Sequence, residues 1–335
     1  MVELLFNGQR WGYWQNVRIR ESVDDLCASV SLSIALPADA AASITLDANT
    51  VVQVLVDGVH VTTVRAGRIR RRVSASDHSI QFEARSLARE LVDCQYSKTL
   101  TGLTLADVVK RICETFKVPV KISAKTALVP NFSMQCEVPS NALINAARVA
   151  NLLLYPTPDG GLILTEPASD APVATLVYGE SILSYEIEDN YDMRFSEYVV
   201  KTFDYDSGSA PKGVAKDAGI GFFRPMHLVA DRLGTGVGSC LRRAELERNR
   251  RLARAHAISL EVDGWTHAAG LWAINRQVRV VIPPEGIDDV FLIGDRAFSQ
   301  DDKGGSVTHL TVMHRSAFAG EIPTKKTKRS AGVRK

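Results

Sequence analysis

No apolar run in the 335 residues approaches the roughly 18–20 that a helix needs to cross a bilayer. The opening stretch, MVELLFNGQRWGYW, lacks a charged start, a long apolar centre and a small-residue cleavage site, which predicts no secretory signal. Five cysteines are present: Cys27, Cys94, Cys113, Cys136 and Cys240. They are odd in number, widely spaced and without a C-x-x-C pair, so they read as reduced, mostly buried thiols. Catalytic signatures are missing too. The seven histidines, His60, His78, His227, His256, His267, His309 and His314, form no H-E-x-x-H, and there is no G-x-S-x-G elbow. The best phosphate-loop candidate, GTGVGS at 234–239, has G-x-G-x-G spacing and no following Lys-Ser/Thr. HLVADRL before it does not read as a strand, so the glycines read as linker. These absences predict no metal, no cofactor and no catalytic residue.

A surplus of basic charge is found in one place only. Residues 321–335 carry Lys325, Lys326, Lys328, Arg329, Arg334 and Lys335 against Glu321 alone, a net of +5. The whole chain is +2, so the remaining 320 residues sum to −3. A basic body would have suggested nucleic acid; this one does not. The last fifteen residues read as a flexible basic tail, removable beyond about residue 322 without unfolding the body. The composition, 45% hydrophobic and 23% charged, is that of a globular protein, and the length implies two or three domains.

What is there is mainly β. In ASVSLSIAL, Val30, Leu32, Ile34 and Leu36 alternate with Ser29, Ser31 and Ser33, a period of two. Thr50 to Val56 leads through Asp57-Gly58 into a hairpin. In GRIRRRV, Arg68, Arg70 and Arg72 alternate with Ile69, Arg71 and Val73. The first three are expected to point out of the core, toward a neighbouring subunit or a channel. Arg71 falls in the core-side register, which predicts a bulge near it. Residues 1–94 thus read as a small antiparallel β-barrel. From 95 to 175 the pattern is α+β. Thr104 and Asp107 form a capping box before Leu105, Val108, Ile112 and Phe116; a second helix starts at Ser140; LLLYPTPDGGLILTEP reads as a hairpin. Residues 207–258 are expected to join this unit, with one helix from Ser239 to about Ile258 presenting a charged outer face. Its Glu247–Arg251 and Glu245–Arg248 pairs add a few tenths of a kcal/mol each. Strands return at 176–206 and 259–320, a second barrel. Glu186, Glu188 and Asp189 lie on a strand expected to be solvated on one face.

The two strand blocks look like a repeat. VVQVLV leads to Val61, Val64 and Gly67, a polar turn, an alternating strand and Arg85-Ser86. VRVVI leads to LIGDRAF around Gly294, a polar turn, then LTVMHRS with Arg315-Ser316. On that basis Gly67 and Gly294 occupy equivalent turns entering equivalent strands, where glycine supplies a positive φ or close backbone approach, as in a bulge; the strands after them face the core with Ile69 and Val73 in one copy and Ala297 in the other.

The run ELERNRRLARAHAISLEVDGWTHAAGLWAINRQVRVV, an Arg-rich helix, V-x-GW, then G-x-LW-x-x-N, resembles the Mu-like phage baseplate hub family. RSLARELVDC, AARVANLLLYPTPDGGLILTEP and RFSEYVVK agree in order along nearly the whole chain, although RSLAREL departs from the small polar run more usual there. The resemblance implies a structural, non-enzymatic protein related to T-even phage hubs and to the N-terminal part of type VI secretion spikes. It implies a homotrimer whose two tube-like barrels per chain adapt a sixfold tail tube to a threefold spike. Its partners would be itself, the tube protein, the trimeric spike and other baseplate proteins, with no membrane and with DNA only as passing cargo. Its location would be the virion baseplate, with the host cytoplasm during assembly. Two rival readings remain: a cell-wall glycan hydrolase, which needs a carboxylate pair in a cleft, and a nucleic-acid-binding barrel, which needs salt-dependent retention on DNA.

Overall fold

Alternating apolar and polar residues build most of the molecule. The computed structural model describes residues 2–6, 8–12, 14–35, 47, 49–74, 78–202, 210–229, 237–301 and 305–319. The tail at 321–335, and Gly234 to Gly236 of the glycine-rich loop, lie outside them. The first block contains β1 (Val2–Phe6), β2 (Gln9–Trp11), β3 (Asn16–Ser22), β4 (Ser29–Ala35), β5 (Val51–Val56), β6 (Val59–Val73) and β7 (His78–Ser86), then a short helix α1 (Arg89–Asp93). Val30 and Leu32 are buried while Ser31 faces water, as the period of two requires. Asp57 and Gly58 both have positive φ, 48° and 77°, the geometry of a tight primed turn between β5 and β6.

The middle unit has its own core. β8 (Tyr96–Thr104) pairs with β10 (Leu128–Glu137), and α2 (Leu105–Thr115) is capped by Thr104, whose Oγ1 accepts the Asp107 N–H at 3.2 Å. β9 (Val120–Ile122), α3 (Pro139–Val149), β11 (Leu153–Pro156) and β12 (Leu162–Thr165) complete it, with Phe132, Leu143, Ile112 and Leu164 fully enclosed. Gly160, at φ 79°, turns the hairpin between β11 and β12.

The second block contains β13 (Thr175–Val177), β14 (Ile182–Asp189), β18 (His256–Asp263), β21 (Gln277–Ile282), β22 (Ile287–Asp301) and β23 (Gly305–Met313), closed by a short helix at residues 316–319. A two-strand ribbon, β19 (Thr266–His267) and β20 (Gly270–Leu271), leads from β18 toward β21. The strand order β3-β4-β7-β6-β5-β1 in the first block recurs as β14-β18-β23-β22-β21-β13 in the second. All neighbours are antiparallel except β13 and β21, which are parallel.

The mainly-β class with an α+β unit holds, but the blocks do not close into hydrogen-bonded barrels among the described residues. β3 cannot return to β1, because its outer edge is taken by β22, and both blocks share one sheet and one core. The segment at 207–258 does not extend the middle unit. β15 (Glu197–Lys201) pairs with β16 (Lys212–Lys216) and β17 (Pro225–Val229), and this sheet packs on α4 (Val237–Arg254) around Tyr198, Val200, Ala215, Cys240 and Ala244. PMHLV is therefore a strand after all. The long helix ends at Arg254, because Ile258, Leu260 and Val262 alternate into the core as β18.

Candidate interaction surface

The two glycines of the repeat sit at matching irregularities. The β6–β7 register shifts between Ala66 and Arg68, and the β22–β23 register shifts between Ile293 and Asp295. Each 15-residue strand is thus bulged at a glycine near its middle. Neither glycine has positive φ; close approach is the reason for both. A Cβ on Gly67 would lie 3.1 Å from the Glu83 carbonyl oxygen, and one on Gly294 would lie 3.1 Å from both the Met313 and Phe318 side chains. The bulge is therefore at Gly67 and not near Arg71. By register, Arg85 matches Met313 and not Arg315, since the second turn is one residue longer.

Beyond Gly67 the β6–β7 hairpin runs past the core. Arg68, Arg70 and Arg72 are exposed on one face, opposite Glu83, Gln81 and Ser79 of β7. On the other face Ile69 packs on the core, but Arg71 is exposed and Val73 is 67% exposed, which corrects the core placement of Val73. In the second copy Phe298 fills the core, while Ala297 is buried but on the opposite face of the sheet, between Arg20 and His309. Following the registers across the sheet, one end of the outer face carries Arg18, Arg20, Arg68, Arg70 and Arg72. The other end carries Glu186, Glu188, Glu261 and Asp263.

The seam between the blocks is ionic. Arg296 Nη2 lies 2.8 Å from Glu21 Oε2, both side chains are under 10% exposed, and Arg296 Nη1 donates to the Trp272 carbonyl at 2.6 Å. Burial pushes the Glu21 carboxyl up and the Arg296 guanidinium down, each against the pull of its partner. Trp265 donates to the Ser299 and Val307 carbonyls at 3.0 Å and stacks on Phe298. Asn275 accepts from Ala168 N at 2.8 Å and donates to the Glu166 carbonyl at 3.2 Å, fixing the linker from the middle unit. The tryptophan and asparagine signals of the sequence are thus joints of the scaffold.

A second joint involves α4. Asp24 accepts from Arg148 of α3 at 3.0 Å and from Arg254 of α4 at 2.8 Å. Burial pushes its carboxyl up, but the two guanidiniums outweigh that and hold it below the usual range. Arg250 is buried, donating to Asn151 and to the Phe318 carbonyl, and burial with neighbouring arginines lowers it to about 10. The expected charged outer face of α4 is therefore half wrong: Leu241 and Leu252 are over 40% exposed, and several arginines face inward. Glu247 pairs with Arg251 at 2.8 Å as expected, whereas Arg248 turns to Asn249 and the Lys216 carbonyl.

A cleft of about 600 Å³ lies where the three main parts meet, lined by His60, Tyr155, Glu166, Trp272, Arg276 and the Glu21–Arg296 pair. Its buried carboxylate, Glu21, is already committed to Arg296, which makes it a poor proton donor or base for hydrolysis. Among the described residues, no group of three His, Cys, Asp or Glu side chains could hold a metal. Cys113 and Cys240 are buried, burial pushing the Cys113 thiol up to about 12, but Cys136 is exposed, unlike the expected thiols.

Three domain families match in sequence order: Mu phage baseplate assembly protein GpP-like, N-terminal, over residues 1–86; baseplate hub protein gp44-like, second domain, over 88–166; and Mu phage baseplate assembly protein GpP, fourth domain, over 238–321. The chain belongs to the Mu-like phage baseplate hub family. Baseplate hub protein gp44 of Escherichia phage Mu is 27% identical over 352 residues, covering 99% of this chain and 92% of that protein. A tail protein from Neisseria meningitidis MC58 has the same fold, with a TM-score of 0.84 and 23% identity over 95% of this chain and 98% of that one. The 43 kDa tail protein of prophage MuSo2 from Shewanella oneidensis has a TM-score of 0.81 and 22% identity over 96% and 99%. The hub is a structural component of the phage tail baseplate, and the families it matches are not enzymes.

Proposed function

We propose that the hub forms a homotrimeric ring that joins the sixfold tail tube to a threefold central spike. The observation that carries this reading is the strand order that occurs twice in one chain. Three chains then present six similar strand units, a pseudo-sixfold face that can dock a sixfold tube while the true symmetry stays threefold. Residues 1–94 form one tube-like unit, and 176–206 with 259–320 supply the other. The middle unit and the α4 sheet stand to the side of the ring. Arg68, Arg70 and Arg72 lie at a contact between copies or toward the channel. DNA passes through without being read, consistent with the absence of a basic body surplus. Assembly takes place in the host cytoplasm.

The test is mass in solution. Light scattering on the purified chain at micromolar concentration, alone and with spike protein, is expected to give three copies. A mass of one or two copies under both conditions contradicts the ring.

A further inference from the structure

We propose that the edge of β6 beyond Gly67 pairs with β14 of the next copy, in a register that sets Arg70 opposite Glu188 and Arg72 opposite Glu186. This rests on the ring reading above and names the contact that closes it.

Within one chain the two blocks meet edge to edge, β22 against β3. The half of β22 before Gly294 is covered by β21, and the half after it is covered by β3. In the first block β5 covers β6 before Gly67, but among the described residues no second strand covers β6 after it. The strand equivalent to β3 is β14, whose one strand partner among the described residues is β18, with a single bridge from its first residue, Ile182, to Tyr178. The chain thus has one seam filled, β22 to β3, and the two halves of a second seam left open at its ends. Long open edges are a liability in a soluble protein and usually find a cover.

The filled seam supplies the register for the open one. Asp295, Ala297 and Ser299 face Ser22, Arg20 and Arg18. Matching the bulges makes Arg68, Arg70 and Arg72 the equivalents of those three β22 residues. Matching β4 with β18 through their pairing to β7 and β23 makes Glu186 and Glu188 the equivalents of Arg18 and Arg20. The transferred pairs are Arg70 with Glu188 and Arg72 with Glu186, all four exposed in the single chain. The signs are the reverse of the filled seam, where Arg20 lies 4.0 Å from Asp295.

Two further features agree. From β14 to β6 the sheet has eight strands of alternating direction, so rotation about a ring axis brings the two edges together antiparallel, as at the filled seam. On the core face, the same register puts Val73 against Tyr185 and Arg71 against Ile187. That gives the exposed Val73 an apolar neighbour on the half-buried side of β14.

The experiment is a disulfide across the seam. Opposed residues of an antiparallel pair have Cα atoms about 4.5–5.5 Å apart, within reach of a disulfide. The chain carrying both Arg70→Cys and Glu188→Cys is expected to give covalent trimers on oxidation, seen on a non-reducing gel. Neither single variant should do so, and nor should Arg71→Cys with Glu188→Cys, whose side chains fall on opposite faces. A parallel arm uses charge: Arg70→Glu with Arg72→Glu should raise the dissociation constant of the trimer at least about tenfold, and adding Glu186→Arg with Glu188→Arg should restore most of it. Far-UV circular dichroism checks that each variant is folded. Trimers that form by light scattering but neither cross-link at 70 and 188 nor respond to charge reversal overturn the seam and leave the ring standing. Absence of any trimer in the unaltered chain overturns both.

Discussion

Asp24 is one carboxylate shared by two arginines from different parts of the chain. Its pKa is lower folded than unfolded. The stability it contributes is therefore present above the unfolded value of about 4 and lost as pH falls through the folded value. Asp24→Asn should cost about 1–3 kcal/mol at neutral pH, because it leaves two guanidiniums without their countercharge. Urea melts should show the difference from the parent shrinking below about pH 4; a difference that persists unchanged at low pH contradicts the assignment. Gly213 makes a different demand. A Cβ there would collide with the backbone of Cys240 and Leu241, so β16 touches α4 with no room between. Gly213→Ala should cost about 3 kcal/mol in urea unfolding, the upper range for overpacking, since helix backbone does not yield as a side chain does. Residue roles of this kind were hardly visible in the sequence. The six arginines of α4 looked like a solvated face, yet Arg250 and Arg254 reach inward to a carboxylate and carbonyls more than sixty residues away in sequence. Periodicity reports which residues are apolar; it does not report where a long polar side chain finds its acceptor.

At the scale of elements, local signals were read well. The β5–β6 turn, the Thr104 cap, the β11–β12 hairpin and the alternation in β4 depend on neighbours in sequence, and all are in place. What was not legible was pairing between distant strands. Nothing local in β3 announces that its outer edge meets β22, so two closed barrels were expected where one continuous sheet exists. Arg71 and Val73 misled for a related reason: their alternation is that of a strand buried on one face, but this half of the hairpin projects beyond the core. The open half of β6 should behave differently free and assembled. In hydrogen exchange, the amides among residues 68–73 that point away from β7 should exchange fast in dilute, dissociated hub and become protected in the ring. Equal exchange in both states would mean that this edge stays in water.

At the scale of the whole molecule, the repeat explains most of the architecture. One strand order used twice gives two similar units, a shared core holds them together, and the sheet's ends carry opposite charge. A heterologous contact between unlike ends generates a closed ring if the rotation closes and an open filament if it does not. The family and the broad fold class were readable from the order of weak signals along the chain, while the charge polarity emerged only when strand registers placed distant residues on one face. The most direct test of the account is electron microscopy of the purified hub with end-on averaging. The account predicts a ring of threefold symmetry with six similar lobes around a central opening. Single compact particles, or rings with any other number of lobes, would contradict it.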